Sequence, residues 1–203
     1  MSTRFVFLAS KSPRRSELLR QLGVAHEVID AGSAHGAFAV DETPRAAELP
    51  DAYVRRLAHC KAEAGWTHLS RERVPPHPVL AADTTVALDG RILGKPGSDA
   101  EAKAMLASLS GRTHEVYTAV AVASPSGIAI ALSRSTVTMR AISTDEINRY
   151  VAIGESVDKA GAYAVQGHAA MFISRIEGSY SGVMGLPLFE TANLLVEAGL
   201  VLP

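Results

Sequence analysis

Two stretches rich in β-branched residues, Thr113–Ala123 and Ile128–Arg140, are separated only by Ser124-Pro125-Ser126-Gly127. A connection this short can join only neighbouring antiparallel strands, because a parallel pair needs a crossover of a dozen residues or more. Elsewhere strands alternate with helices. A strand over Arg4–Ala9 gives way to a helix with Ser12 placed to cap it, Pro13 in its first turn and Gly23 at its end. A hairpin set among strand–helix alternations predicts an α/β fold with a mixed central sheet and flanking helices.

The remaining punctuation fills in that scheme. Val24–Ile29 reads as a second strand and Ala31–Pro50 as a long loop of small, polar and acidic residues, a length that is commonly functional. The stripe Val54, Leu57, Ala58, Ala62 predicts a helix over Asp51–Ala64, stopped by Gly65. The proline-rich Val74–Pro78 leads into a continuous strand, Val79–Leu88, and Asp89-Gly90 suits a tight hairpin turn. Ser98 with Glu101 and Ser143 with Glu146 spell capping boxes for two further helices, the first stopped by Gly111 and the second reaching about Ile153. Ala170–Ile176 is expected to be a strand and Pro187–Ala198 a closing helix. With no internal repeat, residues 1–203 read as a single domain.

Composition narrows the function. A net charge of −1 gives no general attraction to nucleic acid or an anionic membrane, so anion binding must come from local clustering. Cys60, the single cysteine, excludes an intrachain disulfide and reads as a packing residue. The apolar run Phe5–Ala9 is too short for a signal peptide, and no run has membrane-spanning length, so a cytoplasmic protein is expected. There is no Gly-x-x-x-x-Gly-Lys-Ser/Thr loop, His-Glu-x-x-His helix, Gly-x-Ser-x-Gly elbow or paired-cysteine site, and the seven histidines are scattered.

Local clustering occurs at Ser10-Lys11-Ser12-Pro13-Arg14-Arg15. Hydroxyls, free first-turn amides, the helix dipole and two guanidiniums there suit an anion with several oxygens, although a capped surface helix would use the same residues. Asp83 lies in the middle of an apolar strand, where an unpaired charge is costly and needs a partner or a function. It shares a face with Ala81, Thr85 and Ala87, whose small side chains leave space for a ligand or a metal. Asp41-Glu42 offers a further carboxylate. Lys61 beside its apolar stripe either snorkels or reaches inward, and Lys95 is held between Gly94 and Pro96. Asp158–Tyr163 and Gln166-Gly167 are polar groups in a loop before a strand, where ligand contacts gather.

Taken together, these spellings resemble the Maf family of nucleoside triphosphate pyrophosphatases from Phe5 to about Leu195. The matching stretches are Ala9–Leu19, Asp41–Thr43, Arg56–Ala62, Ala82–Thr84, Gly94–Pro96, Ser110–His114, Asp158–Tyr163 and Ile176–Ser181. The resemblance implies an elongated, two-lobed, inosine-triphosphatase-like fold around a central cleft, and a homodimer. It implies Asp83 as proton acceptor, with Glu42 and Asp83 at a divalent metal, Mg²⁺ or Mn²⁺. Ser10, Ser12, Arg14, Arg15, Glu42, Lys61, Thr84, Lys95 and Gln166 are implied to contact substrate. Arg15, Thr84 and Gln166 match the subgroup acting on dTTP and UTP, which implies hydrolysis of those nucleotides to the monophosphate and pyrophosphate. The residues alone leave open whether Asp83 is a base or a metal ligand. The same resemblance carries two other roles: regulation of septum formation through a cell-division protein, and housekeeping cleavage of modified pyrimidine nucleotides. The chain departs from the family pattern in a longer small-residue stretch before Asp41, in Thr85 where valine is common, and in Val74–Pro78.

Overall fold

A computed structural model describes residues 5–30 and 39–202; Arg4 and residues 31–38, which belong to the expected first strand and long loop, lie outside the described residues. Strands β1 (Phe5–Leu8), β2 (Ala25–Val28), β3 (Val79–Leu88), β4 (Arg91–Leu93), β5 (Thr113–Ser124), β6 (Gly127–Met139) and β7 (Ile173–Glu177) form one sheet. Its order is β2-β1-β3-β5-β6-β7, with β4 beside β3. The β1–β2 and β1–β3 pairs are parallel and the others antiparallel, so the sheet is mixed as the hairpin requires. The β5–β6 register closes on Ser124 opposite Gly127, which makes Pro125 and Ser126 the turn.

Helices cover both faces. Helix α1 (Pro13–Gln21) and α6 (Leu188–Glu197) pack on one face with Leu8, Leu80 and Val120; α2 (Pro50–Arg71) packs on the other with Ala81, Ala119 and Ala121. The far ends of β3, β5 and β6 run on into a third apolar cluster, where Val86, Val116 and Val137 meet α3 (Asp99–Leu109), α4 (Thr144–Ala152) and Phe172. Between these clusters the three strands turn polar: Asp83, Thr85, Thr118, Ser133 and Ser135 are all buried. Such a belt surrenders apolar burial worth about 1.5–3 kcal/mol per large side chain, so it needs another reason to exist.

Several expectations are corrected. Gly65 does not stop α2, which runs on to Arg71; a Cβ there would sit 2.8 Å from Val79 Cγ1 and 3.3 Å from Ala9 Cβ, so the glycine permits close helix–sheet approach. Ser12 occupies the N-cap position of α1, yet its hydroxyl accepts no bond from the helix amides. Ser98 accepts from the Glu101 amide, but the Glu101 carboxylate accepts from Gly97, so only half of that capping box forms. The Ser143–Glu146 box is complete. His168–Phe172 is a 3₁₀ turn, so the strand expected from Ala170 begins at Ile173, and the short α5 (Tyr180–Met184) is unforeseen.

Candidate functional site

The site lies where the edge of β3 is uncovered. β1 pairs with β3 only at Val79 and Leu80, then leaves the sheet through residues 9–12 into α1; β4 pairs only with Val86–Leu88. Residues 81–85 are therefore open on that edge among the described residues. A crevice beyond the carboxyl end of a strand is the usual ligand position in a sheet with parallel crossovers. Here the open edge also lets adjacent side chains from opposite faces, Asp83 and Thr84, line one cavity of about 450 Å³.

On the α2 face the site is ionic. Ala58 and Ala62 hold α2 close to the sheet, and Lys61 lies at the edge of that stripe. Its Nζ donates to Asp83 Oδ1 at 2.7 Å and pairs with Glu42 Oε1 at 2.6 Å. The lysine thus reaches inward and bridges the two carboxylates. Burial by itself would raise the Glu42 carboxyl, but Lys61, Lys95 and Arg15 outweigh it and hold the group below its ordinary pKa. The loop that presents Glu42 is clamped by α2. Tyr53 donates to Glu42 O at 2.9 Å, and Arg56 donates to Asp41 O, Thr43 O and both Glu48 oxygens, the last two at 2.6 and 2.7 Å.

On the α1 face the site is built from directed hydrogen bonds. Arg15 donates through Nε to Gly185 O at 2.8 Å, through Nη1 to Ser10 Oγ at 2.9 Å and through Nη2 to Thr84 Oγ1 at 3.4 Å. Arg14 donates to Met184 O at 3.2 Å. Burial lowers the pKa of both guanidiniums, with Asp83 and Glu42 opposing the shift at Arg15 and Arg14 adding to it there. Ser12 does not cap the helix, so among the described residues no side chain occupies the first amides of α1, and Ser10, Ser12, Arg14, Arg15 and Lys95 line the adjoining space.

The opposite wall comes from the loop after β4 and the segment after α4. Gly161 donates to Gly94 O at 3.1 Å, tying the two together beside Lys95. Gly161 has φ +67°, and a Cβ would meet Val86 at 3.0 Å, so this crossing needs glycine. Lys159 and Gln166 complete the wall. Burial and the nearby Arg14 and Lys95 lower the Lys159 pKa against the opposing pull of Asp158 and Glu155. Glu155 anchors the segment by accepting from Tyr150 Oη and from the amides of His168 and Ala169; a Cβ on Gly167 would collide with it.

All the residues named from sequence as catalytic, substrate-contacting or metal-ligating line this cavity or the space adjoining it. Lys159, from the Asp158–Tyr163 stretch, lines it too, as do Tyr53 and Met184, which carry no sequence signal of their own in the motifs above. Tyr53, Leu57 and Lys61 recur at i, i+4 and i+8 on α2, a spacing that would have revealed Tyr53. Among the described residues no three His, Cys, Asp or Glu side chains converge as a metal cage. Glu42 and Asp83 converge on one ammonium and so lie close to one another, and Mg²⁺ characteristically binds one or two carboxylates while water and phosphate oxygens fill its remaining positions. Glu42 and Asp83 therefore fit a divalent cation that arrives with a phosphorylated ligand.

The family profile described as Maf-like protein matches residues 5–198. A dTTP/UTP pyrophosphatase of Cupriavidus metallidurans is 56% identical over 98% of this chain and 98% of its own length. Proteins with the same name from Nitrosomonas europaea and Methylobacillus flagellatus are 54% and 56% identical over 96% and 98% of this chain, and over 95% and 94% of their own lengths. Among solved structures, the Ham1 protein of Staphylococcus aureus aligns over 94% of this chain and 95% of that one, at 16% identity and a TM-score of 0.48.

Proposed function

The chain belongs to the Maf family, and from that premise we propose that its cleft hydrolyses dTTP and UTP to the nucleoside monophosphate and pyrophosphate. The observation that carries the reading is Lys61 bridging Glu42 and Asp83 in the same cavity as Arg14 and Arg15. Carboxylates activate a water; guanidiniums and ammoniums hold the triphosphate. Both are needed to cleave a phosphoanhydride.

Arg14, Lys95, Lys159 and the first-turn amides of α1 bind phosphate oxygens and orient the chain for in-line attack. Lys61 engages Asp83 Oδ1, which leaves Oδ2 to receive a proton from water. The water oxygen bonds to the α-phosphorus, the bond from that phosphorus to the bridging oxygen breaks, and pyrophosphate departs with the electron pair. A divalent cation, Mg²⁺ or Mn²⁺, held by Glu42 and Asp83 supplies neutralising charge to the phosphates when bound. Arg15, Thr84 and Gln166 face the base. Incubating the protein with UTP or dTTP and Mg²⁺ is expected to release pyrophosphate, with the signal lost on chelation. Orthophosphate as the product would overturn the reading.

We also read the enzyme as cytoplasmic, where its substrates are held, and as a homodimer. The dimer rests on the family resemblance together with Phe189 and Val196, exposed seven residues apart on one face of α6; sedimentation at micromolar concentration tests it. Contact with a cell-division protein rests on the resemblance alone, and a pull-down that retained such a protein would support it.

A further inference from the structure

Thr118, in the middle of β5, is 1% exposed and takes no part in the reaction described above. Its Oγ1 lies 2.8 Å from Gly182 O, which can only accept, so the one hydroxyl proton of Thr118 is committed there. The same Oγ1 lies 2.9 Å from Thr84 Oγ1. With its own proton spent, Thr118 can only accept from Thr84, and the Thr84 proton is committed in turn. Arg15 Nη2 also approaches Thr84 Oγ1, and a guanidinium can only donate. What Thr84 offers the cavity is therefore a lone pair and no proton.

The far end of this relay is firmly held. Gly182 sits in α5 with its amide donating to Ser179 Oγ at 2.9 Å, and a Cβ there would meet Ser133 Oγ at 3.1 Å. The carbonyls that follow in α5 and at its end are gripped by Arg14 and Arg15. An isolated threonine hydroxyl rotates to donate or to accept, as its ligand demands. This one has lost that choice.

We propose that Thr118 is a positioning residue for substrate choice. By setting the direction of the relay from Arg15 through Thr84 and Thr118 to Gly182, it makes Thr84 an obligate acceptor. That acceptor favours a base edge carrying N–H, such as the imide N3–H of uracil or thymine, over one presenting a lone pair, such as N3 of cytosine. The inference rests on the reading of this cavity as a pyrimidine nucleotide site with Thr84 at its base end.

The test is kcat/KM for UTP and for CTP in the wild type, Thr118→Val, Thr118→Ser and Thr84→Val, each with its thermal midpoint. In Thr118→Val the Thr84 proton is free to turn toward cytosine, and the UTP:CTP ratio is expected to fall roughly tenfold, chiefly through a gain on CTP. Thr118→Ser restores the hydroxyl and should keep the wild-type ratio. A folded Thr118→Val enzyme with an unchanged ratio overturns the proposal, as does a Thr118→Ser enzyme that loses as much discrimination as Thr118→Val. Should the valine variant fail to fold, Thr118→Ala decides on the same ratio. Thr84→Val separates the two levels. If it lowers the ratio while the Thr118 variants do not, the site reading stands and the relay falls; if it also leaves the ratio unchanged, Thr84 does not read the base and both fall.

Discussion

Asp83 and Thr84 are consecutive on β3, yet they belong to two different kinds of chemistry. On the α2 face the contacts are ionic, from Lys61 with Glu42 and Asp83 to Arg56 with Glu48. Across the sheet they are neutral hydroxyls and carbonyls, with Arg15 the cation that enters the chain. Charges act strongly but with little directional choice, and removing one member of a buried pair leaves the other exposed to the full desolvation cost. Neutral hydrogen bonds contribute about 1 kcal/mol each but have a donor end and an acceptor end. The first face suits bond cleavage, and the second suits telling one base from another. Alternation along a strand lets one dipeptide serve both.

The largest expected effect comes from the ionic face. Asp83→Asn keeps shape and removes charge, and kcat for UTP is expected to fall at least about a hundredfold while the fold survives. Steady-state kinetics beside circular dichroism would check it, and a folded variant near the wild-type rate would break the division between the faces. Next comes the clamp on the Glu42 loop. Arg56→Met should raise the Mg²⁺ concentration for half-maximal rate by about tenfold, because Glu42 loses its presentation, with no change in the UTP:CTP ratio. A shifted ratio would mean that the two faces are not separable.

Gln166 gives a smaller and opposite signature. Its amide can accept from N3–H and donate to a carbonyl, so Gln166→Ala is expected to lower the UTP:CTP ratio several-fold while reducing the best attainable rate less. Equal losses on both substrates would show that Gln166 does not read the base.

The smallest effect lies outside both faces, at the buried pair of His114 Nε2 and Tyr163 Oη, 2.8 Å apart beneath the loop that carries Lys159 and Gln166. Burial lowers the His114 pKa to about 4, so the folded protein keeps the ring neutral where the unfolded chain already takes up a proton. Stability from this group is complete above an unfolded pKa of about 6.5 and declines by up to about 1.4 kcal/mol per pH unit as pH falls toward 4. Glu48 and Glu146, each lowered to about 2 chiefly by an arginine, begin to lose their contributions only as pH falls through the ordinary carboxylate range toward 2. Urea unfolding at pH 7, 6 and 5 should therefore show a slope that His114→Asn flattens. A slope that survives the substitution would assign it elsewhere.

Much of this was legible in the chain because short-range chemistry dictates it. Asp89-Gly90, Gly23 and the Ser143–Glu146 box act within a few residues of themselves, and the elements they bound lie where their spelling predicts. Asp83 stood out because a charge inside an apolar strand is conspicuous. What escaped notice depends on distant partners. Gly65 looks like a helix stop until Val79 and Ala9 are known to press against it. Ser12 looks like a cap because the N-cap position cannot reveal that its hydroxyl takes no bond from the helix amides. Thr118 looks like an ordinary strand former, and only the register that sets it opposite Thr84 gives it a role.

The uncovered edge of β3 has a consequence for the fate of the protein in a crowded solution. Unpaired strand edges are templates on which other chains can add and from which aggregates grow. Here β1 closes one end of the gap and β4 the other, so the open run of residues 81–85 is too short and too recessed to admit a foreign strand. Lys61, Arg14 and Arg15 stand around it, and an apolar segment laid over them would strip water from their charges. The gap can thus present raw backbone to a small ligand while denying it to another polypeptide.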